Sequence, residues 1–240
     1  MLTTTEGGER TILIVRDAWL LDLGRKGYRE VWELQKALVN RRAEDRIPDG
    51  LILVEHDPVA TLGRRGTRAD VLDPALEVFE VERGGEATYH GPGQIVGYPI
   101  LKLPNRLEVK RLVTDLEEVL LRTCADFGID ATREGPERGV WVGGKKIGSI
   151  GLAVQRAVTF HGFAHNVTTD LAEFLKIRPC GHDGGIMTSM AECLGRAVDL
   201  EDVKASVIAH FQAVFGVTVR RVNVNELLPE PPGGRRPRRT

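Results

Sequence analysis

An apolar stripe at helical spacing over residues 108–127 is the strongest pattern along the chain. Positions three and four apart face one side of a helix, so the stripe predicts an amphipathic helix that packs on a core. Gly128 then supplies a natural C-terminal stop. The apolar positions are Val109, Leu112, Val113, Leu116, Val119, Leu120 and Cys124. The same periodicity predicts helices over residues 28–42 and 199–215.

Short apolar runs between these helices predict strands. The predicted strands cover residues 11–15, 51–55, 78–82, 95–103, 140–142, 145–154, 158–167 and 217–222, with a short turn or helix at 170–176. Gly143 and Gly144 separate two of them and provide the positive φ angles of a tight hairpin turn. Pro99 indicates an edge or a distortion, because proline has no N–H for the ladder. The expected fold class is α/β of the α+β type, a mixed β-sheet with flanking helices in one domain.

The two ends of the chain differ from the rest in composition. Residues 1–9 are small and polar, and residues 229–240 are rich in Pro, Gly and Arg. Neither stretch has an apolar face to bury, so we expect disordered extensions around a single domain at 10–228. The arginines of the tail are interpreted as a solvated extension, with an arm that attracts an acidic partner as the alternative.

The composition narrows the class of protein. A chain of 240 residues with 42% hydrophobic content can bury one substantial core. No apolar run approaches the length that crosses a bilayer, and the first residues lack the pattern of a secretory signal. Three scattered cysteines are too few for a disulfide framework. These features predict a protein of the reducing cytoplasm, where a free thiolate persists.

Residues 83–98, RGGEATYHGPGQIVGY, combine five glycines with polar side chains. Glycine in a strand costs order and supplies no side chain to pack, so something must approach this backbone closely. The polar residues between the glycines indicate that the molecule approaching this backbone is a ligand.

This segment resembles the signature of the lipoate-protein octanoyltransferases. Further blocks at residues 55–64, 143–152 and 160–181 agree with that family in order and spacing, so the resemblance runs from about residue 51 to about 190. Enzymes of this family move an octanoyl group from acyl carrier protein to a lipoyl domain. The resemblance also implies the fold of the catalytic domains of biotin and lipoate ligases.

The resemblance implies a catalytic pair, Cys180 and Lys146. Cys180 lies in a Pro-Cys-Gly sequence and matches the acyl-bearing nucleophile of the family. A thiolate needs a neighbour that lowers its pKa or takes its proton, and the family's lysine is the second of two before an isoleucine, which is Lys146. Strand alternation places Lys145 on the opposite face, in solvent. The other two cysteines, Cys124 and Cys193, are interpreted as small, buried core residues without a chemical role.

The resemblance also implies three substrate-binding segments around the acyl chain and thioester. They contain Arg83, Gly84, Gly85, Glu86, Ala87, Thr88, Tyr89 and His90, then Ser149, Ile150 and Gly151, and finally Gly162, Phe163 and Ala164. Plain close packing of strands is the alternative for the last two. His90 is left with three roles: donating a hydrogen bond, holding a loop or assisting proton transfer. His161 is a supporting residue that orients a loop. His165 stands where the family commonly has an aliphatic residue, and either alters the pocket wall or faces solvent.

The implied partners are proteins. Octanoyl-acyl carrier protein is the donor, and the acceptors are lipoyl domains of 2-oxoacid dehydrogenase E2 subunits and the glycine cleavage H protein. The reaction as implied uses no metal, nucleotide or other cofactor, and involves neither nucleic acid nor membrane.

Four alternatives compete with this interpretation. An ATP-dependent lipoate or octanoate ligase finds faint support in residues 63–68, which are similar to the glycine-arginine loop of biotin ligases, but there is no P-loop pattern. A lipoyl-domain amidotransferase would use the same cysteine with another donor. A nucleic-acid-binding protein lacks aromatics beside its basic tail. A metal hydrolase is disfavoured because the six histidines make no paired helical motif.

Overall fold

The computed structural model describes residues 16–105, 108–179 and 184–229. Within these ranges the chain forms ten strands, five α-helices and three short 3₁₀ turns. The strands are β1 (Arg16–Lys26), β2 (Gly50–His56), β3 (Val59–Leu62), β4 (Val78–Glu80), β5 (Ala87–His90), β6 (Gln94–Ile100), β7 (Gly139–Val142), β8 (Lys145–Gln155), β9 (Val158–Asn166) and β10 (Val217–Arg221). The helices are α1 (Tyr28–Ala43), α2 (Glu108–Asp126), α3 (Met190–Leu194), α4 (Leu200–Phe215) and α5 (Val224–Leu227).

Two sheets organise the chain. The larger has the order β10-β1-β2-β6-β9-β8-β7, and the smaller has the order β4-β3-β5. In the larger sheet β10, β1 and β2 run parallel, and the remaining neighbours pair antiparallel. The predicted mixed sheet with flanking helices is therefore confirmed.

Helices cover both faces of the larger sheet. On β2, Leu51 and Leu53 belong to the core under α2 and α4, whereas Ile52 and Val54 belong to the core under α1. Successive side chains of a strand point to opposite faces, so each face of this strand enters a different core. A central strand buried on both sides reads as a continuous apolar run, which is how residues 51–54 appear in the sequence.

The periodic helices and the hairpin follow the prediction closely. The apolar stripe of α2 is buried or half-buried along its length, and α4 begins after Asp199, whose side chain accepts a hydrogen bond from the Glu201 N–H at 2.8 Å. Gly143 and Gly144 connect β7 to β8 with φ angles of 55° and 80°. Every helix in the described ranges is too short or too polar to span a lipid bilayer.

Several details differ from the prediction. The strand expected at 11–15 lies outside the described residues, whereas β1, β3 and β5 were not expected. Pro99 does not mark an edge, because β6 lies between β2 and β9. It does mark a distortion. The β6–β9 ladder ends at Gly97 and Phe163, and the Thr159 hydroxyl donates to the Pro99 carbonyl at 2.6 Å.

The two described cysteines occupy different environments. Cys124 is fully buried in the core beneath α2, as predicted, and burial raises its thiol pKa to about 12. Cys193 is exposed, so its interpretation as a buried core residue is wrong. It lies on the short helix α3, which presents that position outward.

Candidate active site

A cavity of about 710 Å³, open mouth included, lies between the small sheet and the β6–β9–β8 side of the large one. The lining residues come from α1, residues 83–90, β6, β7, β8, β9 and the chain on either side of the undescribed residues 180–183. The cavity therefore draws together segments that are far apart in the sequence.

Most of the predicted site residues line this cavity. They are Arg83, Gly84, Gly85, Ala87, Thr88, His90, Lys146, Ser149, Ile150, Gly151, His161, Gly162, Phe163 and Ala164. Glu86 and Tyr89 do not, which corrects the expectation that residues 83–90 line it throughout. Glu86 turns toward Arg65 with a 3.6 Å ion pair, and the Tyr89 ring packs on Phe174 with centroids 5.4 Å apart. These contacts turn both side chains away from the cavity.

Lys146 is the buried cation of β8. Its side chain is 7% exposed, and its Nζ lies 3.2 Å from Oε2 of Glu137 and 5.2 Å from the centroid of the Trp141 ring. Lys145 is exposed, as strand alternation predicts. The fold therefore separates the two adjacent lysines, and it gives only Lys146 access to the cavity.

Cys180 lies outside the described residues. Pro179, directly before it, is buried, lines the cavity and pairs with Ala87 in an isolated bridge. On the far side, Ile186 and Met187 line the same cavity, and Met187 bridges to Lys146. The prediction for Cys180 stays a prediction.

Arg83 is anchored across the small sheet. Its Nη2 donates to the carbonyl oxygen of Thr61 at 2.7 Å and to Oγ1 of the same residue at 2.9 Å, and its Nη1 donates to the carbonyl of Gly84 at 3.0 Å. Gly84 N–H in turn donates to the carbonyl of Leu152 on β8 at 3.0 Å. A Cβ on Gly151 would lie 3.1 Å from Cδ of Arg83, so glycine at that position permits the close approach.

His161 holds the segment before Arg83 in place. Its φ is 55°, an uncommon conformation for a residue with a side chain, and its N–H donates to Oε1 of Gln35 at 2.7 Å. Its Nε2 lies 3.2 Å from Oε2 of Glu82, which also accepts from the Trp32 ring N–H at 3.0 Å. The bond from His161 is the main cause that lowers the pKa of Glu82 to about 2. This geometry supports the predicted loop-orienting role.

His90 and His56 are buried side by side near the cavity. Desolvation lowers the pKa of His90 to about 3 and that of His56 to about 4. His56 bonds through Nδ1 to the carbonyl of Lys26 at 3.0 Å and through Nε2 to the hydroxyl of Tyr98 at 2.8 Å. The His90 ring lines the cavity and stacks against Tyr28 with centroids 6.0 Å apart. Both rings are therefore neutral at pH 7.

Residues 27–212 match the family model described as the lipoyl protein ligase A/B catalytic domain. The chain is 46% identical over 191 residues to an octanoyltransferase of Geobacter metallireducens, covering 79% of this chain and 90% of that protein. It is 45% identical over 195 residues to an octanoyltransferase of Syntrophotalea carbinolica, covering 81% and 92%. The chain belongs to the octanoyltransferase family. The resemblance drawn from its motifs is confirmed, and with it the class of enzyme, an acyltransferase.

The fold of this octanoyltransferase-family chain is shared with lipoate ligases. A solved structure described as a bi-partite lipoate protein ligase and its E2 lipoyl domain from Thermoplasma acidophilum superimposes with a TM-score of 0.69 at 15% identity. The match covers 88% of this chain and 90% of that one. At this identity the likeness concerns the fold alone.

His165 of this family member takes neither of its expected places. It is fully buried and does not line the cavity, so both the pocket-wall and the solvent-facing alternatives are wrong. Its Nε2 lies 4.0 Å from Sγ of Cys124, and its Nδ1 makes no hydrogen bond to any described residue. Desolvation lowers its pKa to about 4.

Some cavity residues of this octanoyltransferase-family site were missed. They are Tyr28, Val96, Tyr98, Glu137, Trp141, Ile186 and Met187. Most belong to apolar patterns that equally suit a core, and Glu137 lies in an irregular loop that carries no periodic signal. Within the described ranges no cluster of three or more His, Cys, Asp or Glu side chains is placed to hold a metal ion.

Proposed function

We propose that the chain transfers an octanoyl group from octanoyl-acyl carrier protein to a lysine of lipoyl domains through a thioester on Cys180, the first step of endogenous protein lipoylation. The observation that carries the proposal is the burial of Lys146 in a cavity whose wall continues to Pro179, the residue before Cys180. The relatives named octanoyltransferase support an octanoyl group as the group transferred. The solved structure with the same fold is described as a lipoate protein ligase and its E2 lipoyl domain, which supports a lipoyl domain as the acceptor.

The first half-reaction exchanges one thioester for another. The thiolate of Cys180 attacks the carbonyl carbon of the donor, the bond from that carbon to the carrier sulfur breaks, and the carrier leaves as a thiol after taking a proton. Thiol exchange is nearly balanced in energy, so the acyl group stays activated on the enzyme. Lys146, beside Glu137, is the group proposed to hold positive charge near the thiolate and to pass the proton.

The second half-reaction forms an amide. The neutral amine of the acceptor lysine attacks the Cys180 thioester, the C–S bond breaks, and the amine loses a proton as the thiolate leaves. An amide is more stable than a thioester, so this step runs downhill. The apolar side chains of Val96, Ile150 and Phe163 supply a wall for the aliphatic chain between the two steps.

The proposed partners follow from this chemistry. The donor is octanoyl-acyl carrier protein, and the acceptors are lipoyl domains of 2-oxoacid dehydrogenase E2 subunits and the glycine cleavage H protein. A cytoplasmic setting is part of the same proposal, since a reactive thiolate persists where disulfides do not form. A domain spanning 10–228 also remains a proposal.

The ligase alternative has less support in the geometry. The loop after β3 that is similar to the biotin-ligase loop binds the backbone of the first segment: Gly63 N–H donates to the carbonyl of Glu86 at 3.0 Å, and Arg64 N–H donates to that of Arg83 at 3.0 Å. It therefore acts as support for residues 83–86 in this structure.

A transfer assay without ATP tests the proposal. Purified chain, octanoyl-acyl carrier protein and a lipoyl domain are mixed, and octanoyl-lysine is measured on the lipoyl domain. We expect turnover by the unaltered chain, loss of about 10³-fold or more in Cys180→Ser, and a large loss in Lys146→Met with Lys145→Met as its exposed control. Product only when ATP and free octanoate are supplied would assign a ligase. Product only from an octanoylated lipoyl-domain donor would assign an amidotransferase.

A further inference from the structure

A chain of side-chain amides fixes the ring of His90. Nδ1 of His90 lies 2.7 Å from Oε1 of Gln94, and Nε2 of Gln94 donates to Oδ1 of Asn166 at 2.9 Å. Asn166 completes the chain, because its Nδ2 donates to the backbone carbonyl of Thr188 at 2.9 Å. All four residues are at least 94% buried, and Gln94 pairs with Asn166 across β6 and β9, so no solvent competes for the bonds.

Two backbone carbonyls determine the direction of every bond in this chain. A carbonyl only accepts, so Thr188 requires the NH₂ group of Asn166 to face it. The carbonyl of Tyr89 independently requires the NH₂ group of Gln94, at 3.2 Å. Oε1 of Gln94 is then left as an acceptor toward His90, and Nδ1 of His90 must carry the hydrogen.

The remaining nitrogen of His90 is consequently an acceptor. The ring is neutral, because burial and the neighbouring His56 and Arg83 all disfavour a second proton. With its hydrogen on Nδ1, the ring keeps a lone pair on Nε2. That atom makes no hydrogen bond to a described residue, while the ring borders the cavity. This contrasts with His56, whose two nitrogens are both engaged by protein groups.

The cavity is otherwise rich in donors. Arg83 and Lys146 carry N–H groups and no acceptor, and Glu137 is engaged by Lys146. Two cations also disfavour a third positive charge. A substrate N–H that enters uncharged finds rotatable hydroxyl acceptors on Thr88 and Ser149, whereas Nε2 of His90 is an acceptor whose direction the surrounding bonds fix.

We propose that Nε2 of His90 accepts a hydrogen bond from an uncharged N–H group of a substrate, with Gln94 and Asn166 as positioning residues that hold the ring in that tautomer. The N–H comes from the acceptor lysine's amine or from an amide of the donor's carrier arm. This inference rests on the proposed two-step transfer. It differs from the three roles named for His90 in the sequence analysis, because Nε2 accepts a hydrogen bond instead of donating one, and the single ring hydrogen stays on Nδ1.

Two isosteric variants separate the nitrogens of the ring. In His90→Asn the side-chain NH₂ replaces Nδ1–H and keeps the bond to Gln94, but no acceptor reaches the cavity. In His90→Gln the amide oxygen replaces the Nε2 acceptor, and the bond to Gln94 is weakened. Each half-reaction is timed separately: loading of the enzyme from octanoyl-acyl carrier protein, and discharge to a lipoyl domain.

We expect His90→Asn to slow one half-reaction on the order of 10- to 100-fold, with His90→Gln closer to the unaltered chain. Slow discharge with normal loading assigns the acceptor amine, and slow loading assigns the donor amide. If His90→Asn and His90→Gln have the same rate as each other in both half-reactions, the inference is overturned.

A nitrogen NMR spectrum of the full chain, labelled in its histidines, tests the tautomer without any turnover. The expected result at pH 7 is a His90 ring protonated at Nδ1 alone, with Gln94→Met changing that state. A proton on Nε2, or on both nitrogens, would overturn the inference. If the unaltered chain does not load at all, the proposed function fails, and the NMR result still decides the state of His90.

Discussion

The ammonium nitrogen of Lys146 lies 3.2 Å from a carboxylate oxygen of Glu137, and both side chains border the same cavity. Lys146 is 7% exposed and Glu137 24%, so water screens this pair less than a surface pair. The Glu137 carboxylate therefore holds the ammonium group of Lys146, the proposed proton-transfer group, in a fixed position at the edge of the cavity.

A double-mutant cycle on this pair measures the coupling. The free energy of unfolding is measured for Glu137→Gln, Lys146→Met and the double variant. We expect a coupling energy of about 1–3 kcal/mol, because an ion pair with a buried member is coupled more strongly than an exposed pair. The pair of Lys26 and Glu30, whose side chains are 41% and 64% exposed, serves as the matched control, where we expect below about 0.5 kcal/mol. Equal coupling in both cycles would contradict a special role for burial.

Gly151 is expected to be intolerant of a side chain. A Cβ there would lie 3.1 Å from both Cδ of Arg83 and the carbonyl oxygen of Gly84, so Gly151→Ala must displace the first segment. We predict a loss of about 1–3 kcal/mol in unfolding free energy and at least a tenfold fall in transfer rate. Gly27→Ala is the control, since a Cβ at Gly27 meets nothing within 4 Å. Normal rates in Gly151→Ala would show that the position of Arg83 does not matter.

Acid should destabilise the chain through its buried histidines. His56, His90 and His165 have folded pKa values of about 4, 3 and 4, below the unfolded value of about 6.5. The unfolded state therefore binds more protons, and the stability present above pH 6.5 is lost as pH falls toward the folded values. At pH 5 we expect a loss of about 2 kcal/mol for each ring, measured by denaturant unfolding at several pH values.

His165→Leu isolates one of these contributions. The His165 ring lies in an apolar core with Nδ1 unpaired among the described residues, so we expect the leucine variant to gain about 1–2 kcal/mol at pH 7. The decrease in unfolding free energy between pH 7 and pH 5 should also be smaller by about a third, because one of the three buried histidines is removed. An unchanged slope against pH would mean that His165 is not buried as a neutral ring.

The sequence predicted most of the elements because their signals are local. The stripe of α2 is a pattern within one helix, and the hairpin at Gly143 and Gly144 depends on two adjacent residues. The strand β1 was missed because Ala18–Leu21 is buried without alternation while charged residues and a register shift surround it. The strands β3 and β5 have four residues each, too few to show a period.

The site was predictable where its motifs match a family and unpredictable where it depends on tertiary contacts. Lys146 and the small residues of β8 and β9 were identified from their motifs. The partner of Lys146, Glu137, was not, because the pairing crosses from an irregular loop to a strand. The same holds for the bond from Gln94 to Asn166, which joins residues 72 positions apart.

Intact-protein mass spectrometry after mixing the chain with octanoyl-acyl carrier protein, without ATP, tests whether Cys180 carries the acyl group. We expect one octanoyl increment that hydroxylamine removes, that maps to Cys180, and that disappears when a lipoyl domain is added. A lipoyl domain that becomes octanoylated while no increment ever forms on the chain, or an increment that persists in Cys180→Ala, would contradict it.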